Sequence, residues 1–285
     1  MADILLIGYG TIGQDLVSLL EPEIARGEIR ILAAAVRDPQ KPRPTASAVP
    51  LIHTDKLANY LPQADLVVEC AGVPAAISHG SEVISAGREM ILTSVGALAH
   101  RDARLGMLSG PGKLTVTNGA IGGFDLLGAA AQAGGIAEIS IQTSKLAASL
   151  VRPWMTQAER ARLQDLTPTD EAFVLFDGNP TDAIEKFPAN VNVAVALAWA
   201  TRELLPADAP GAEQSQAFER ALAQVRVRIL ADPNARLSLH VIRASGPAGT
   251  YEFSLENAPS PSNPRTSGLT AMSVARDVRE SILRC

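Results

Sequence analysis

A glycine-rich turn near the amino terminus constrains the fold of this chain more than any other feature. Gly8, Gly10 and Gly13 follow a short apolar run at residues 4–7 and open an apolar segment with helical spacing at 12–20. In this strand–turn–helix context, glycines permit a tight turn, close approach of the backbone to a phosphate and close packing of the helix on the strand. The sequence therefore predicts an anion-binding turn at the amino end of a helix.

The turn opens a regular alternation of strands and helices. Apolar runs predict buried parallel strands at 4–7, 31–36, 65–70, 90–93 and 114–117, with helices between them at 12–20, 54–61, 75–86 and 103–109. This series is typical of a Rossmann-type, doubly wound α/β sheet, and it predicts a dinucleotide-binding domain over residues 1–118. The expected pyrophosphate contacts are Gly8, Gly10, Thr11, Ile12 and Gly13; a tight turn that binds nothing is the simpler alternative.

The residues after the second predicted strand bear on the choice of coenzyme. That strand ends in Arg37-Asp38. An acid in this position accepts hydrogen bonds from an adenosine ribose, whereas an arginine pairs with a 2′-phosphate. Asp38 favours NAD and Arg37 keeps NADP open, unless both are only solvated loop charges. Ala71 and Gly72 follow the third of these strands, and we expect them to line the same edge of the sheet.

The pattern changes after Asn118. Helices are predicted at 124–133 and 193–203, with alternating strands at 138–143, 172–176, 225–230, 237–243 and 250–256, which indicates a second α+β domain over residues 119–264. The proline-rich segment 257–264 is expected to be a connector that forms no ladder. A final helix at 267–283, capped by Ser267 or Thr266, is predicted to bring residues 265–285 back onto the first domain.

Composition excludes several classes of function. The chain has 25 Lys and Arg against 30 Asp and Glu, so a phosphate polymer would be repelled, and nucleic acid is not expected as a partner. Cys70 and Cys285 stand in no metal-binding or disulfide spacing, which favours a cytoplasmic setting and no metal. No apolar stretch reaches the ~18 residues of a membrane helix. Secretion is not expected, because no basic region stands ahead of a long apolar stretch before the first strand.

Several further segments carry a family resemblance. They are residues 69–72 (ECAG), 94–98 (SVGAL), 119–122 (GAIG), 186–194 (KFPANVNVA), 240–246 (HVIRASG) and 263–270 (NPRTSGLT). Together with the glycine turn, they resemble the L-aspartate dehydrogenase family over nearly the whole chain. The resemblance implies a second domain like that of dihydrodipicolinate reductase and a homodimer. It also implies NAD(P)-dependent oxidative deamination of L-aspartate to iminosuccinate, then oxaloacetate and ammonium, with the reverse reductive amination.

The resemblance also implies roles for individual residues. The family's catalytic histidine matches His240, and its cofactor contacts match Ala120 and Asn192. An imidazole with an ordinary pKa of about 6.5 suits proton transfer during imine hydrolysis. His240 lies in a predicted alternating strand, so its side chain faces one side of the sheet. The alternative interpretation is a structural histidine with a hydrogen bond on that sheet face.

A substrate with two carboxylates needs cationic or N–H donors. The candidates are Asn190, Lys186, Thr266 and Ser267, with Lys145, Arg243 and Arg265 as further cations that the sequence does not rank. Each has a simpler alternative role. The asparagines at 190 and 192 and the hydroxyls at 266 and 267 can cap helices, and the cations can be ordinary surface charges.

Two other functions remain compatible with the sequence. One is a different two-domain NAD(P)-dependent reductase of a small carboxylate, such as a dihydrodipicolinate reductase, or a semialdehyde or inositol dehydrogenase. The other is a nucleotide sensor that retains the glycine turn without catalysis. The segment around His240 argues against the sensor, because a sensor does not need a proton-transfer group.

Overall fold

The computed structural model describes residues 1–41, 47, 49–187 and 191–283, with the backbone alone at 264 and 265. In these ranges no helix combines the length and apolarity needed to span a bilayer. The chain divides into two compact units. Unit 1 contains Met1–Gly119, Pro206–Ser215 and Ser260–Cys285, and unit 2 contains Ala120–Leu205 and Gln216–Pro259.

Unit 1 is built on a six-stranded parallel sheet. Its strands are β1 (Ala2–Ile7), β2 (Ile29–Val36), β3 (Leu51–His53), β4 (Leu66–Glu69), β5 (Glu89–Leu92) and β6 (Leu114–Val116). The helices that connect them are α1 (Thr11–Leu19), α2 (Glu21–Ala25), α3 (Leu57–Tyr60), α4 (Val73–Ser85) and α5 (Arg101–Leu108). The strand order β3-β2-β1-β4-β5-β6 confirms the predicted Rossmann-type sheet. The short β3 was not predicted.

Unit 2 is built on a mixed five-stranded sheet. Its strands are β7 (Glu138–Leu146), β8 (Phe173–Gly178), β9 (Val225–Asp232), β10 (Ser238–Gly246) and β11 (Gly249–Asn257), in the order β11-β10-β7-β9-β8. Strands β7 and β9 pair in parallel, and the other pairs are antiparallel. The remaining helices up to residue 224 are α6 (Phe124–Gln132), α7 (Gln157–Gln164), α8 (Pro180–Lys186), α9 (Asn192–Ala200) and α10 (Gly211–Gln224).

One face of the mixed sheet is covered. Alternate residues of β7, Ile139, Ile141 and Thr143, are buried, and their neighbours on β9 and β10 at the same register positions are buried as well. Helices α8 and α9 pack on β9. We call this side of the sheet the covered face. The polar and apolar alternation that predicted these strands therefore reflects a sheet buried on one side.

The carboxyl-terminal part of the chain contains β12 (Pro259–Ser260), β13 (Asn263–Ser267) and α11 (Gly268–Ile282). Strands β12 and β13 pair with each other, so the prediction of a connector without a ladder is wrong. Two of the three prolines are compatible with this ribbon, because Pro259 is the first residue of its strand and Pro261 lies in the turn. Val274 and Val278 of α11 pack with Leu16 of α1 in the core of unit 1.

The segment Pro206–Ser215 lies in unit 1, although the sequence placed it in the second domain. The buried Arg104 accounts for its position. The guanidinium donates through Nε to Ser215 Oγ at 2.7 Å and through Nη1 to the Leu98 carbonyl at 2.9 Å. A buried guanidinium must have hydrogen-bond acceptors, and this segment supplies one of them from 111 residues away.

We expect Gly123→Ala to destabilise the protein more than Gly134→Ala. Both glycines have a left-handed backbone, with φ of +79° and +70°, so each alanine carries a conformational cost of about 1–2 kcal/mol. An added methyl group at Gly123 would lie 2.8 Å from the Phe253 ring. At Gly134 an added methyl group would have no atom within 4 Å. Urea unfolding measures the difference. Equal losses of stability in the two variants would contradict a clash with Phe253. In a Phe253→Leu background, the additional destabilisation caused by Gly123→Ala should be smaller.

Candidate functional site

The glycine turn after β1 combines two tightly packed positions with an open one. An added methyl group at Gly8 would lie 2.7 Å from Ala71, and Gly8 has a φ of +99°. At Gly13 the methyl group would lie 2.9 Å from the Gly8 oxygen and 3.2 Å from Cys70 Sγ. Gly10 has no atom within 4 Å of the same position. The turn therefore packs tightly on the sheet and leaves its outer side open to a ligand.

Helix α1 begins at this turn with unused backbone donors. Gly10 is its amino-terminal cap residue, and it provides no side-chain capping bond. The first amide in the helical ladder is that of Gln14, which donates to the Gly10 oxygen at 3.0 Å. The amides of Thr11, Ile12 and Gly13 precede the ladder and point out of the helix end. This arrangement fits a pyrophosphate, which needs N–H donors and an approach free of side chains.

Glu69 organises the neighbouring strand ends. Its side chain is fully buried, and its Oε1 accepts hydrogen bonds from the amides of Ala71 at 2.8 Å and Gly72 at 3.0 Å. Ser94 donates its amide to Oε2 at 2.8 Å and its hydroxyl to Oε1 at 3.0 Å. Burial raises the pKa of Glu69, and these donors oppose that shift. The carboxylate thereby ties the loop after β4 to the loop after β5.

Sequence reasoning missed the role of Glu69. In the sequence, Glu69 stands out only as part of the segment 69–72 that carries the family resemblance. The available signal was an acid at the end of a strand that is otherwise apolar. A carboxylate in such a position must be matched by several hydrogen-bond donors, but the sequence does not show that Ser94 is one of them.

The predicted coenzyme-selecting residues lie at the same edge of the sheet as the glycine turn. Arg37 and Asp38 directly follow β2, the neighbour of β1, and both are exposed. Asp38 Oδ1 accepts from the amide of Gln40 at 2.9 Å. Gly72, with a φ of +116°, caps α4 after β4, on the other side of β1. The glycine turn, Arg37, Asp38 and Gly72 therefore lie at the same edge of the parallel sheet in unit 1.

In unit 2, His240 lies on the covered face of the mixed sheet. The residue is 4% exposed, and its Nδ1 lies 3.0 Å from the hydroxyl of Thr143, its partner across the strands. Burial, together with the charge of Lys145, lowers the pKa of His240 to about 4. The imidazole is therefore neutral at neutral pH. Among the described residues, Thr143 is its one hydrogen-bonding partner, so Nε2 remains available to a ligand.

Lys145 lies two residues after Thr143 on β7 and so faces the same side of the sheet as His240. It is half-buried. Burial and the charge of Arg152 lower the pKa of Lys145 to about 8. Arg152 is itself half-buried, donates to the carbonyls of Ser149 and Val151, and has no carboxylate partner in the described part of the chain. This end of the covered face is consequently cationic.

Ala120 lies at the same end of unit 2 as His240. The Ala120 carbonyl accepts from Nδ2 of Asn257 at 2.6 Å, and Asn257 pairs with Ser238, two residues before His240. Asn192 is the first residue of α9, and Val191 occupies the cap position, so the capping role that the sequence also allowed for Asn192 is not observed. Asn190 lies outside the described residues.

The remaining substrate candidates lie in different environments. Lys186 is exposed at the end of α8, with Nζ 5.7 Å from the centre of the Phe176 ring. Arg243 faces away from His240 and pairs with Glu252 at 2.7 Å, so it is excluded from the covered face. The side chain of Arg265 lies outside the described residues. Across the described ranges, no three His, Cys, Asp or Glu side chains are grouped to hold a metal ion.

Thr266 and Ser267 belong to unit 1, at the junction of β13 and α11. Ser267 is the cap residue of α11 by position, but its side chain makes no capping bond. Its Oγ is buried and has no hydrogen-bond partner among the residues that the structure describes. The predicted location of the cap at Ser267 is thus confirmed, whereas the predicted capping bond is absent.

An open glycine turn on a Rossmann-type sheet and a second unit with a buried neutral imidazole define the class of nicotinamide-dependent, two-domain dehydrogenases. Residues 8–110 match the family described as homoserine dehydrogenase, NAD binding domain. Residues 125–281 match the family described as aspartate dehydrogenase, C-terminal. This second match covers more than half of the chain. The chain belongs to the aspartate dehydrogenase family.

Individual relatives agree with this placement. The chain is 33% identical to the L-aspartate dehydrogenase of Serratia proteamaculans, over 99% of this chain and 98% of the relative. It is 30% identical to that of Pseudomonas aeruginosa, over 97% and 96% of the two chains. Among solved structures, aspartate dehydrogenase from Thermotoga maritima matches with a TM-score of 0.69 at 24% identity, over 98% of this chain and 96% of that chain. Homoserine dehydrogenase from S. aureus, with a TM-score of 0.56 at 15% identity over 99% and 77%, shares the fold.

We expect Glu69→Gln to lower the free energy of unfolding by about 1–3 kcal/mol, because a carboxamide cannot accept hydrogen bonds at both of its ends and leaves buried donors unpaired. Urea unfolding of the full chain measures this cost. Glu82→Gln, at a side chain that is 42% exposed on α4, is the control and should change stability little. Equal effects of the two substitutions would contradict the network around Glu69.

The lowered pKa of His240 predicts a pH dependence of stability. Between the ordinary pKa of 6.5 and about 4, the unfolded chain binds a proton that the folded chain does not. Stability therefore falls as the pH falls through this window, by roughly 3 kcal/mol in total from this residue. His240→Gln should remove that part of the slope of unfolding free energy against pH. Parallel slopes for the wild type and the variant would show that His240 is not held neutral.

Proposed function

We propose that the protein catalyses the NAD(P)-dependent oxidative deamination of L-aspartate to iminosuccinate, which is hydrolysed to oxaloacetate and ammonium, and the reverse reductive amination. The observation that carries this proposal is the neutral imidazole of His240 beside the Lys145 ammonium on the covered face of unit 2. Curated relatives of nearly full length carry the name L-aspartate dehydrogenase, which supports the choice of substrate.

In this proposal unit 1 is the dinucleotide-binding domain. The amides of Thr11, Ile12 and Gly13 bind the pyrophosphate, and Gly8 and Gly10 keep the turn tight and its outer side open. Arg37 and Asp38 are assigned to the adenosine ribose, with Ala71 and Gly72 lining the neighbouring strand end. When bound, the nicotinamide supplies the acceptor for the hydride on the α-carbon of the substrate.

Unit 2 is the substrate and dimerisation domain in this proposal. Following the family resemblance, Ala120 and Asn192 contact the cofactor. His240 is the proton-transfer residue, because Thr143 holds the ring at Nδ1 and leaves Nε2 to take a proton from the water that adds to the imine. A pKa of about 4 keeps the imidazole in its basic form at neutral pH.

Lys145 is the preferred partner for a substrate carboxylate. Its pKa of about 8 reflects burial and the nearby charge of Arg152, and the negative charge of a bound carboxylate would oppose both effects. A site that carries two cations, Lys145 and Arg152, suits a dianionic substrate. Lys186, Asn190, Thr266 and Ser267 are proposed as further substrate contacts.

The coenzyme and the assembly are also proposals. Asp38 favours NAD, whereas Arg37, equally exposed, keeps NADP possible. We propose a homodimer on the basis of the family resemblance. A cytoplasmic setting is proposed because Cys70 is a buried, unpaired thiol, which suits a reducing compartment.

Absorbance at the reduced-nicotinamide band tests the function directly, with oxaloacetate plus ammonium and each coenzyme in turn. His240→Gln should lower kcat by about 10²–10⁴-fold with little change in coenzyme affinity, because it removes proton transfer and not binding. The exposed His100 provides the control substitution, His100→Gln, which should leave kcat unchanged.

Other outcomes separate the rival functions. Normal turnover with weakened coenzyme affinity in His240→Gln would refute the role of this residue. A wider screen of amino and hydroxy acids distinguishes another two-domain reductase from an aspartate dehydrogenase. Coenzyme binding without turnover in that screen would favour a nucleotide sensor.

A further inference from the structure

The segment Ser260–Asn263, which we call the strap, is hydrogen-bonded to α1, the helix that follows the glycine turn. Ser260 Oγ donates to Asp15 Oδ2 at 2.6 Å, and Ser262 Oγ donates to Asp15 Oδ1 at 3.1 Å. Asn263 Nδ2 donates to Thr11 Oγ1 at 3.1 Å. Thr11 and Asp15 are four residues apart on α1 and so share one face of the helix. The strap therefore lies along the first turns of α1, within unit 1.

The bond from Asn263 determines what the Thr11 hydroxyl can do. A hydroxyl has one proton to donate and two lone pairs that accept. Asn263 uses one of the lone pairs, and no described residue accepts the Thr11 proton. Thr11 is half-buried and directly follows Gly10, whose outer side is open. The Thr11 hydroxyl is thus left as a donor beside the turn, and phosphate oxygens are acceptors only.

We infer that Asn263 is a positioning residue for the pyrophosphate of the coenzyme, acting through the Thr11 hydroxyl. This inference rests on the proposed coenzyme site in unit 1. Asn263 need not touch the ligand. By donating to Thr11 Oγ1, it fixes the side-chain rotation and directs the proton away from the strap. Asp15 holds the strap through two other side chains, Ser260 and Ser262, so the position of the strap does not depend on Asn263 alone.

A double-mutant cycle on the full-length protein tests this inference. The dissociation constants of NADH and NADPH are measured by fluorescence titration for Asn263→Ala, Thr11→Val and the double variant. We expect each single substitution to weaken binding of the preferred coenzyme about 10-fold, as for one hydrogen bond to a charged group. The double variant should bind no more weakly than Thr11→Val, because Asn263 acts through the same hydroxyl. The kcat at saturating coenzyme should change less than about twofold.

Three further variants separate positioning from folding. Thr11→Ser keeps the hydroxyl and should restore near wild-type affinity. Asn263→Asp keeps the shape of the side chain but offers acceptors in place of the donor, so it should draw the Thr11 proton to itself and weaken binding at least as much as Asn263→Ala. Ser262→Ala removes a strap contact that does not involve Thr11, and it should leave coenzyme affinity within about twofold of the wild type.

The outcomes are distinguishable. Additive losses in the cycle, or an equal loss of affinity in Ser262→Ala, would overturn the inference and make the strap merely structural. Unchanged affinity in Asn263→Asp would overturn it as well. If the wild-type protein binds neither coenzyme, the proposed function itself fails. If the wild type binds and the Asn263 variants bind equally well, the proposed function stands and the role of Asn263 does not.

Discussion

The hydrogen bonds to the buried carboxylate of Glu69 are the interaction on which the nucleotide-binding edge of unit 1 depends. They join the ends of two neighbouring strands, and Ala71, one of the donors, is also the residue against which Gly8 packs. A carboxylate without exposure is tolerated only when its lone pairs are matched by donors. The loops after β1, β4 and β5 are therefore held as one set, and an open turn at Gly10 can remain rigid without a ligand.

Unit 2 surrounds its buried ionisable group with fewer hydrogen-bond donors. Glu69 is surrounded by donors, whereas among the described residues His240 has one hydroxyl partner and a neighbouring cation, so burial favours its neutral form. Burial shifts the pKa of both groups toward the neutral form, and at Glu69 the hydrogen-bond donors oppose that shift. A neutral imidazole with a free Nε2 is suited to accept a proton, and a half-buried Lys145 with a lowered pKa is suited to bind an anion. The chemistry of this unit therefore depends on how far burial shifts the pKa of its ionisable groups.

Local patterns predicted most of this fold, and contacts between distant residues account for what they missed. The glycine turn, the five main parallel strands and the strand of His240 follow from spacing within a few residues. In contrast, Ser94 and Glu69 are 25 residues apart, Ser215 and Arg104 are 111 apart, and Asn263 and Thr11 are 252 apart. Patterns within a few residues of sequence do not predict contacts between such distant residues. Helix α7 was missed because it is short and polar, although Thr156 and Glu159 form a capping box at its start.

The carboxyl-terminal part of the chain returns to α1. This return explains why hydrogen bonds between residues so far apart in sequence can contribute to stability. Bonds between flexible segments are offset by the entropy of ordering them. Here Val274 and Val278 of α11 bury apolar surface against α1, and that burial already brings the carboxyl-terminal segment alongside the helix. Once α11 is packed on α1, the strap loses little further conformational entropy when Ser260 and Ser262 form hydrogen bonds to Asp15. Apolar packing thus determines where the strap lies, and its polar side chains determine which atoms of α1 it contacts.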